Sequence, residues 1–177
     1  MASAEWSDVL RWSQRVIDLA DGDPSEGDFI LGSPLARALA LRATARYCLG
    51  QPGWRDDLRH GLAMARHHDP LAYTTVVGYV YNTGISLGVL TADDRAMREI
   101  EDALRIAERS GDDLALAFAR LALGVALVHR QAAEDRDRGQ KQLADVSEVL
   151  LRRRYFLFDR PIVDVYLARE RARRGSR

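Results

Sequence analysis

The chain has one cysteine, Cys48, and one lysine, Lys141, among its 177 residues. A single cysteine excludes an internal disulfide framework and is typical of proteins from reducing compartments. The lysine of a phosphate-binding loop follows a glycine-rich segment, because backbone N–H groups must cradle the phosphates beside it. Lys141 follows no such segment. The sequence therefore predicts neither a disulfide scaffold nor a nucleotide-hydrolysing site of this type.

Charge of neither sign is in excess, since Lys and Arg together number 26 and Asp and Glu also number 26. A balanced chain has no overall field that attracts nucleic acid or an anionic membrane. Apolar runs stay well short of the roughly 18 residues of a membrane-spanning helix. The N-terminus lacks the basic and apolar regions of a secretion signal. We expect a soluble, cytoplasmic protein that neither enters nor binds a membrane.

Strand-like alternation with hairpin turns is missing, whereas helical periodicity runs through nearly the whole chain. Ser33 followed by Pro34 is a typical helix start. Thr91 to Asp94 resembles a capping box, in which side chains at both ends bond the first backbone N–H groups of a helix. Residues 73–87 are apolar on nearly all sides, which predicts a helix buried between other helices.

A phrase repeats along the chain at a period of about 43 residues, which is typical of stacked helix pairs. LAMA and DPLA at 62–72 return as LRIA and DDLA at 104–115, and a fainter copy occupies 17–24. The tetratricopeptide period is about 34 residues, so the array is only tetratricopeptide-like. We predict an all-α array of about eight antiparallel helices that forms a right-handed solenoid.

The repeats assign the whole of 1–177 to a single helical-repeat domain. Its predicted pairs are 34–69, 70–111 and 112–153, with half pairs at 3–21 and 160–174. Terminal repeats of such arrays usually have a polar outer face, yet Val163 and Tyr166 belong to an apolar stripe in the last half pair. We therefore expect either a segment of a longer protein or a homodimer that pairs through an exposed terminal helix.

Three segments resemble the helical-repeat region of large actinobacterial regulators: GDDLALAFAR with LVHR at 111–130, VIDLADGDP at 16–24 and VDVYLARERARRG at 163–175. In that family a class III adenylate/guanylate cyclase domain or a LuxR-type DNA-binding domain accompanies an AAA/STAND-type ATPase. The resemblance implies a non-catalytic protein-interaction and signal-coupling module, whose partner is a protein or an adjoining domain of the same regulator. The catalytic motifs of the cyclase and the ATPase are absent from these segments.

Several residues are candidates for the interaction surface. The loop at 23–33 is longer than most helix connections and has an apolar centre, and long loops are often functional. Arginine clusters beside aromatic residues can contact nucleic acid, although cations are also favoured at helix ends. The candidates are Phe29, Ile30, Leu31, Tyr73, Tyr81, Arg152, Arg153, Arg154, Val163 and Tyr166.

No catalytic, cofactor-binding or metal-binding residue is predicted. His60 and His67 are seven residues apart, whereas a zinc site on a helix favours a shorter spacing with a further ligand. Paired acids such as Asp56 and Asp57 fall at helix starts, where they complement the helix dipole. Two alternative hypotheses stay open: a nucleic-acid-associated module that uses the arginine clusters, and a small helical enzyme of unknown reaction with a pocket among Tyr73, Tyr81, His60 and Cys48.

Overall fold

The computed structural model describes residues 5–23, 25–26, 33–67, 70–153 and 160–175. Within these ranges the chain is helical and has no strand, which confirms the predicted all-α class. A π-helical turn, Tyr79–Thr83, joins α4 to α5 without a break, so the described helices form eight rods. The α-helices are α1 (Trp6–Ala20), α2 (Pro34–Cys48), α3 (Trp54–Arg66), α4 (Pro70–Gly78), α5 (Gly84–Ser86), α6 (Asp94–Ser110), α7 (Asp113–Val128), α8 (Ala133–Arg153) and α9 (Arg160–Gly175).

Side-chain caps fix where several helices begin. Ser33 accepts a hydrogen bond from the Ala36 N–H at 3.2 Å, and Asp112 accepts two from the first turn of α7, each at 2.8 Å. At α6 the capping residue is Asp93, which accepts from the Ala96 N–H at 2.8 Å. Thr91 therefore does not cap this helix, because an aspartate two residues later already satisfies the exposed N–H group.

The helices form two rows. In the central row α2 contacts α4, α4 contacts α7, and α7 contacts α9. In the flanking row α3 lies against both α2 and α4, α6 against α4 and α7, and α8 against α7 and α9, while α1 packs on α2. Each flanking helix thus fills the groove between two central helices. This arrangement buries α4 and α7 on nearly every side, as the apolar stretch at 73–87 predicted for α4.

One apolar core extends from α2 to α9, and small residues bring its helices close together. A Cβ at Gly61 would lie 2.9 Å from the Ala36 carbonyl oxygen, so α3 approaches the α2 backbone directly. At Gly139 of α8 a Cβ would lie 2.9 Å from the Val128 backbone nitrogen of α7. By contrast, α1 packs through a separate, smaller cluster with Leu35 and Leu39.

The π turn departs from regular helix geometry, and the sequence did not predict it. It widens the helix between Gly78 and Gly84. Beyond it the chain folds back, because the backbone N–H groups of Val89 and Leu90 both donate to the Gly84 carbonyl, at 2.8 and 3.0 Å. A Cβ at position 84 would lie 2.7 Å from the Leu90 side chain, so any residue larger than glycine would require Leu90 to shift. Within the described ranges, no helix has both the length and the apolarity needed to cross a bilayer.

Candidate functional site

Two apolar grooves meet at Tyr79, which lines both of them. The first, here called the Trp12 groove, lies between α1 and α2 and has a volume of about 780 Å³. The second, the π-turn pocket, lies between the π turn, α7 and α9 and has a volume of about 440 Å³. The Trp12 groove lies mainly between two consecutive helices, whereas the π-turn pocket combines elements that are far apart in sequence and are brought together by the packing of the central row.

The Trp12 groove carries a large exposed aromatic side chain. Trp12 is 63% exposed, and Leu41 on the facing helix is also exposed. Arg37 lines the same groove and makes no hydrogen bond or ion pair with the described residues. Exposed tryptophan beside apolar and arginine side chains is typical of protein-binding surfaces, where such residues contribute most of the binding energy.

The π-turn pocket has apolar walls from three central helices. Phe118 of α7 lies on one side, with its ring centroid 6.4 Å from that of Tyr79. Pro161, Ile162 and Val165 of α9 form a further wall. Val165 is among the exposed apolar residues, so the pocket opens to solvent along α9. A ligand in this pocket would thus contact the π turn, α7 and α9 together.

The π turn explains why one helical face lines so much of this pocket. The lining positions recur at steps of four residues, at 78, 82 and 86 and at 79, 83 and 87. On a regular α-helix of 3.6 residues per turn, such a row drifts sideways by about 40° at each step. A wider π turn reduces this drift and keeps the row aligned. Single π turns inside α-helices occur frequently at functional sites.

Polar groups converge on the π-turn pocket. The Tyr166 hydroxyl donates to Ser86 Oγ at 2.7 Å, which ties α9 to the end of the widened helix. Asn82 Oδ1 is buried and has no hydrogen-bond partner among the described residues. Arg169 lines the outer end of the pocket and makes no ion pair within the described part of the chain. The described residues that line this pocket include no carboxylate, imidazole or thiol, so hydrogen bonds and charge are the polar interactions that they can offer.

Beyond Arg169 the pocket adjoins a polar cleft between α7, α8 and α9, here called the arginine cleft, of about 610 Å³. Most of its cations are engaged. Arg173 pairs with Glu170 at 2.8 Å, Arg174 pairs with Asp137, and Arg136 donates to backbone carbonyl oxygens. Arg169 lines both the pocket and the cleft. The apolar pocket therefore ends in a positively charged region, where the Arg169 guanidinium makes no ion pair with the described residues.

Two predicted surface tyrosines are core residues. Tyr73 is 2% exposed, and its hydroxyl accepts a hydrogen bond from Arg66 Nη2 at 2.8 Å. Tyr81 is 6% exposed and donates to the Glu99 carboxylate. Burial raises the pKa of both phenols, and for Tyr81 the hydrogen bond with Glu99 raises it further. Both rings pack inside the array because α4 and the π turn are surrounded by α2, α3, α6 and α7.

The other predicted surface residues are divided between the core, the pocket and regions outside the described ranges. Val163 is fully buried, whereas Tyr166 lines the π-turn pocket. Arg152 is exposed and pairs with Glu148 on the same helix at 2.7 Å. Three groups lie outside what the structure describes: the loop residues Phe29, Ile30 and Leu31, the Arg153 side chain, and Arg154.

The cysteine and histidine residues that the sequence analysis weighed as catalytic or metal-binding candidates do not form a reactive centre in the described ranges. The Cys48 thiol at the end of α2 is free, and burial raises its pKa. His60 and His67 are both exposed on or just beyond α3. No group of three or more His, Cys, Asp or Glu side chains in these ranges has the arrangement of a metal site.

Sequence reasoning missed Trp12, Asn82, Phe118 and Arg169. For Trp12 a signal was present, since Val9, Trp12 and Val16 recur at helical spacing beside the stripe that faces α2. For the pocket residues there was none, because π geometry and the proximity of α9 follow from tertiary packing. Comparisons of the chain with protein-family models, curated proteins and solved structures yield no match.

Proposed function

We propose that this chain is a non-catalytic interaction and signal-coupling module, and that the Trp12 groove is its docking surface for a protein partner. The observation that carries the proposal is the exposed Trp12 ring above an apolar groove between two helices. A groove of this kind suits an amphipathic helix or peptide, whose apolar side chains lie in the groove. Arg37 at its side, which has no ion pair among the described residues, favours a partner segment with acidic residues.

The two-row packing supports a tetratricopeptide-like, right-handed solenoid as the architecture of the module. In such arrays each helix pair contacts its neighbours, and the array acts by binding rather than by chemistry. The sequence resemblance provides the context: a cytoplasmic regulator in which a cyclase or an AAA/STAND-type ATPase is the partner or the adjoining domain. In that setting, docking on the groove transmits the state of the array to the catalytic domain.

The test is affinity capture from cells in which the chain is native, with the full chain as bait and mass spectrometry of the recovered proteins. We expect recovery of a polypeptide with ATPase or cyclase motifs. Trp12→Ala should weaken the binding of the recovered partner by about 2 kcal/mol, the usual contribution of a central aromatic contact. Leu19→Ala is the matched control, since Leu19 lies exposed on the same helix outside the groove.

Three results would contradict the proposal. One is an undiminished affinity of the Trp12→Ala variant for the recovered partner, with the fold verified by circular dichroism. Another is an equal loss in the Leu19→Ala control, which would place the contact elsewhere. A third is recovery of nucleic acid alone with a steep salt dependence, which would favour the arginine residues as a polyanion surface.

A further inference from the structure

We infer that the π-turn pocket binds a small organic carboxylate whose apolar body carries a hydrogen-bond donor. The apolar body lies between Phe118 and Ile162, its donor reaches Asn82 Oδ1, and its carboxylate contacts Arg169. Among the described lining residues this site shares only Tyr79 with the Trp12 groove, and the inference goes beyond the proposed docking function. The inference stands on the size of the pocket and on two groups without a partner among the described residues, the buried Asn82 Oδ1 and the Arg169 guanidinium.

The size of the pocket suits a small molecule. Ligand sites have volumes of about 300 to 1,000 Å³ and apolar walls with few polar groups. The π-turn pocket, at about 440 Å³, falls within this range. A closed apolar cavity of about 150 Å³ already holds benzene, so an aromatic ring with a short side chain fits here. Phe118 and Tyr79 provide ring faces against which such a body packs.

The buried acceptor selects for a donor. Buried polar atoms in proteins are nearly always hydrogen-bonded, because an unpaired one loses its interaction with water. Asn82 Oδ1 is buried without a partner among the described residues. Thr83 and Ser86 also line this side of the pocket, and the Ser86 hydroxyl already accepts from Tyr166. A ligand hydroxyl or N–H group would satisfy the Asn82 oxygen.

The charge at the outer end selects for an anion. Arg169 has no acidic partner among the described residues, whereas Arg173 and Arg174 on the same helix do. The adjoining arginine cleft adds positive charge around it. A carboxylate matches the planar guanidinium by two parallel hydrogen bonds. The pocket therefore discriminates between an acid and its neutral amide through Arg169.

The experiment measures binding of three probes to the full chain by calorimetry and ligand-observed NMR. The probes are phenylpropanoate, its para-hydroxyl derivative and the primary amide of that derivative. We expect the hydroxylated acid to bind best. Arg169→Gln should weaken both acids about tenfold and leave the amide nearly unchanged. Asn82→Leu should weaken only the two hydroxylated probes, by about fivefold. Arg171→Gln is the control, since Arg171 is exposed on α9 and does not line the pocket.

The inference is overturned if the unaltered chain binds none of the probes at concentrations up to about 10 mM. It is also overturned if Arg169→Gln affects acid and amide equally, or no more than Arg171→Gln does. Trp12→Ala should leave probe binding unchanged. A failure of the pocket and a failure of the partner-docking proposal are thus distinguishable, since each responds to its own variant.

Discussion

Asp57 is a buried carboxylate that joins three helices. From α3 it accepts hydrogen bonds from Arg42 Nε at 2.9 Å, Arg42 Nη2 at 2.6 Å and Arg46 Nη1 at 2.8 Å, both arginines being on α2. Arg42 also donates to Gln14 of α1 at 2.7 Å. Only 6% of the Asp57 side chain is exposed. One carboxylate therefore orders the two guanidinium groups that hold α1, α2 and α3 together.

Replacing Asp57 by Ala should lower the free energy of unfolding by about 2 to 3 kcal/mol, because it leaves two cations without their acceptor in a partly buried setting. The measurement is equilibrium urea unfolding at neutral pH. Asp56→Ala is the control: Asp56 pairs with Arg59 on the surface, and both side chains are mostly exposed. Its change should stay within about 0.5 kcal/mol. Equal losses of unfolding free energy for the two variants would contradict the role of Asp57 in holding the three helices together.

The sequence could not separate these two aspartates. Both lie in the first turn of α3, where acidic residues complement the helix dipole. The prediction that these aspartates stand at a helix start therefore applies equally to each. Neighbouring residues on a helix point about 100° apart. Which of the two faces α2 depends on how α3 is rotated against it, and that is set by the close contact of Gly61 with the α2 backbone.

At the scale of the element, glycine sets how closely two helices approach. Gly139 lies inside α8, where alanine is normally preferred by about 1 kcal/mol. A Cβ at this position would lie 2.8 Å from Leu127 Cβ and 2.9 Å from Val128 Cγ1. Overpacking of this kind costs about 1 to 3 kcal/mol. The contact therefore outweighs the intrinsic preference of the helix for alanine.

Gly139→Ala should lower the free energy of unfolding by about 1 kcal/mol, although the same change stabilises an exposed helix position. Ala144→Gly provides the matched control, because Ala144 is exposed on the same helix. It should lose about 1 kcal/mol for the opposite reason, the poor helix propensity of glycine. Thermal and urea unfolding of both variants measure the effect. A more stable Gly139→Ala protein would show that α7 and α8 adjust their spacing freely.

The sequence predicted which segments form helices, but it did not predict the change from α to π geometry inside one of them. The apolar pattern at 73–87 predicted a buried helix, and α4 with the π turn is one. The switch to π geometry at Tyr79–Thr83 left no local sequence mark. Ideal patterns assume 3.6 residues per turn, whereas this segment is shaped by Phe118 and α9 on one side and by the chain reversal after Gly84 on the other.

For the whole molecule, the two-row packing distributes stability unevenly. The central helices α4 and α7 belong to the continuous core, whereas α1 is attached through a small cluster and through Gln14. Local opening is easiest where few apolar contacts are lost. An array of stacked pairs opens from its weaker end for the same reason.

Native-state hydrogen exchange should therefore rank the helices. We expect the slowest amide exchange in α7 and α4 and the fastest helical exchange in α1, after correction for intrinsic rates. Mass spectrometry of peptic fragments resolves these elements. As a control, amide exchange is measured at two pH values, which confirms that the exchange rates follow the opening equilibrium. Protection of α1 equal to that of α7 would indicate a single cooperative unit instead.

The two candidate grooves depend on how helices pack against each other, and no single segment of the chain forms either of them. The π-turn pocket combines residues from Gly78 to Arg169. Repeat spacing predicted that distant segments stack, because one amphipathic helix pair leaves an apolar face uncovered. It did not predict which side chains from α4, α7 and α9 meet, since this depends on helix rotation within the row. The Trp12 groove depends in the same way on the seating of α1 against α2.

The burial of α4 has a consequence for how the protein behaves when it is not folded. Residues 70–90 contain no Asp, Glu, Lys or Arg and are rich in β-branched and aromatic side chains. In the native array Thr74, Thr75, Val76 and Val77 are all buried. Once released, an uncharged segment of this composition favours intermolecular strand pairing. Refolding therefore competes with aggregation through this helix, and the yield of native protein falls as its concentration rises.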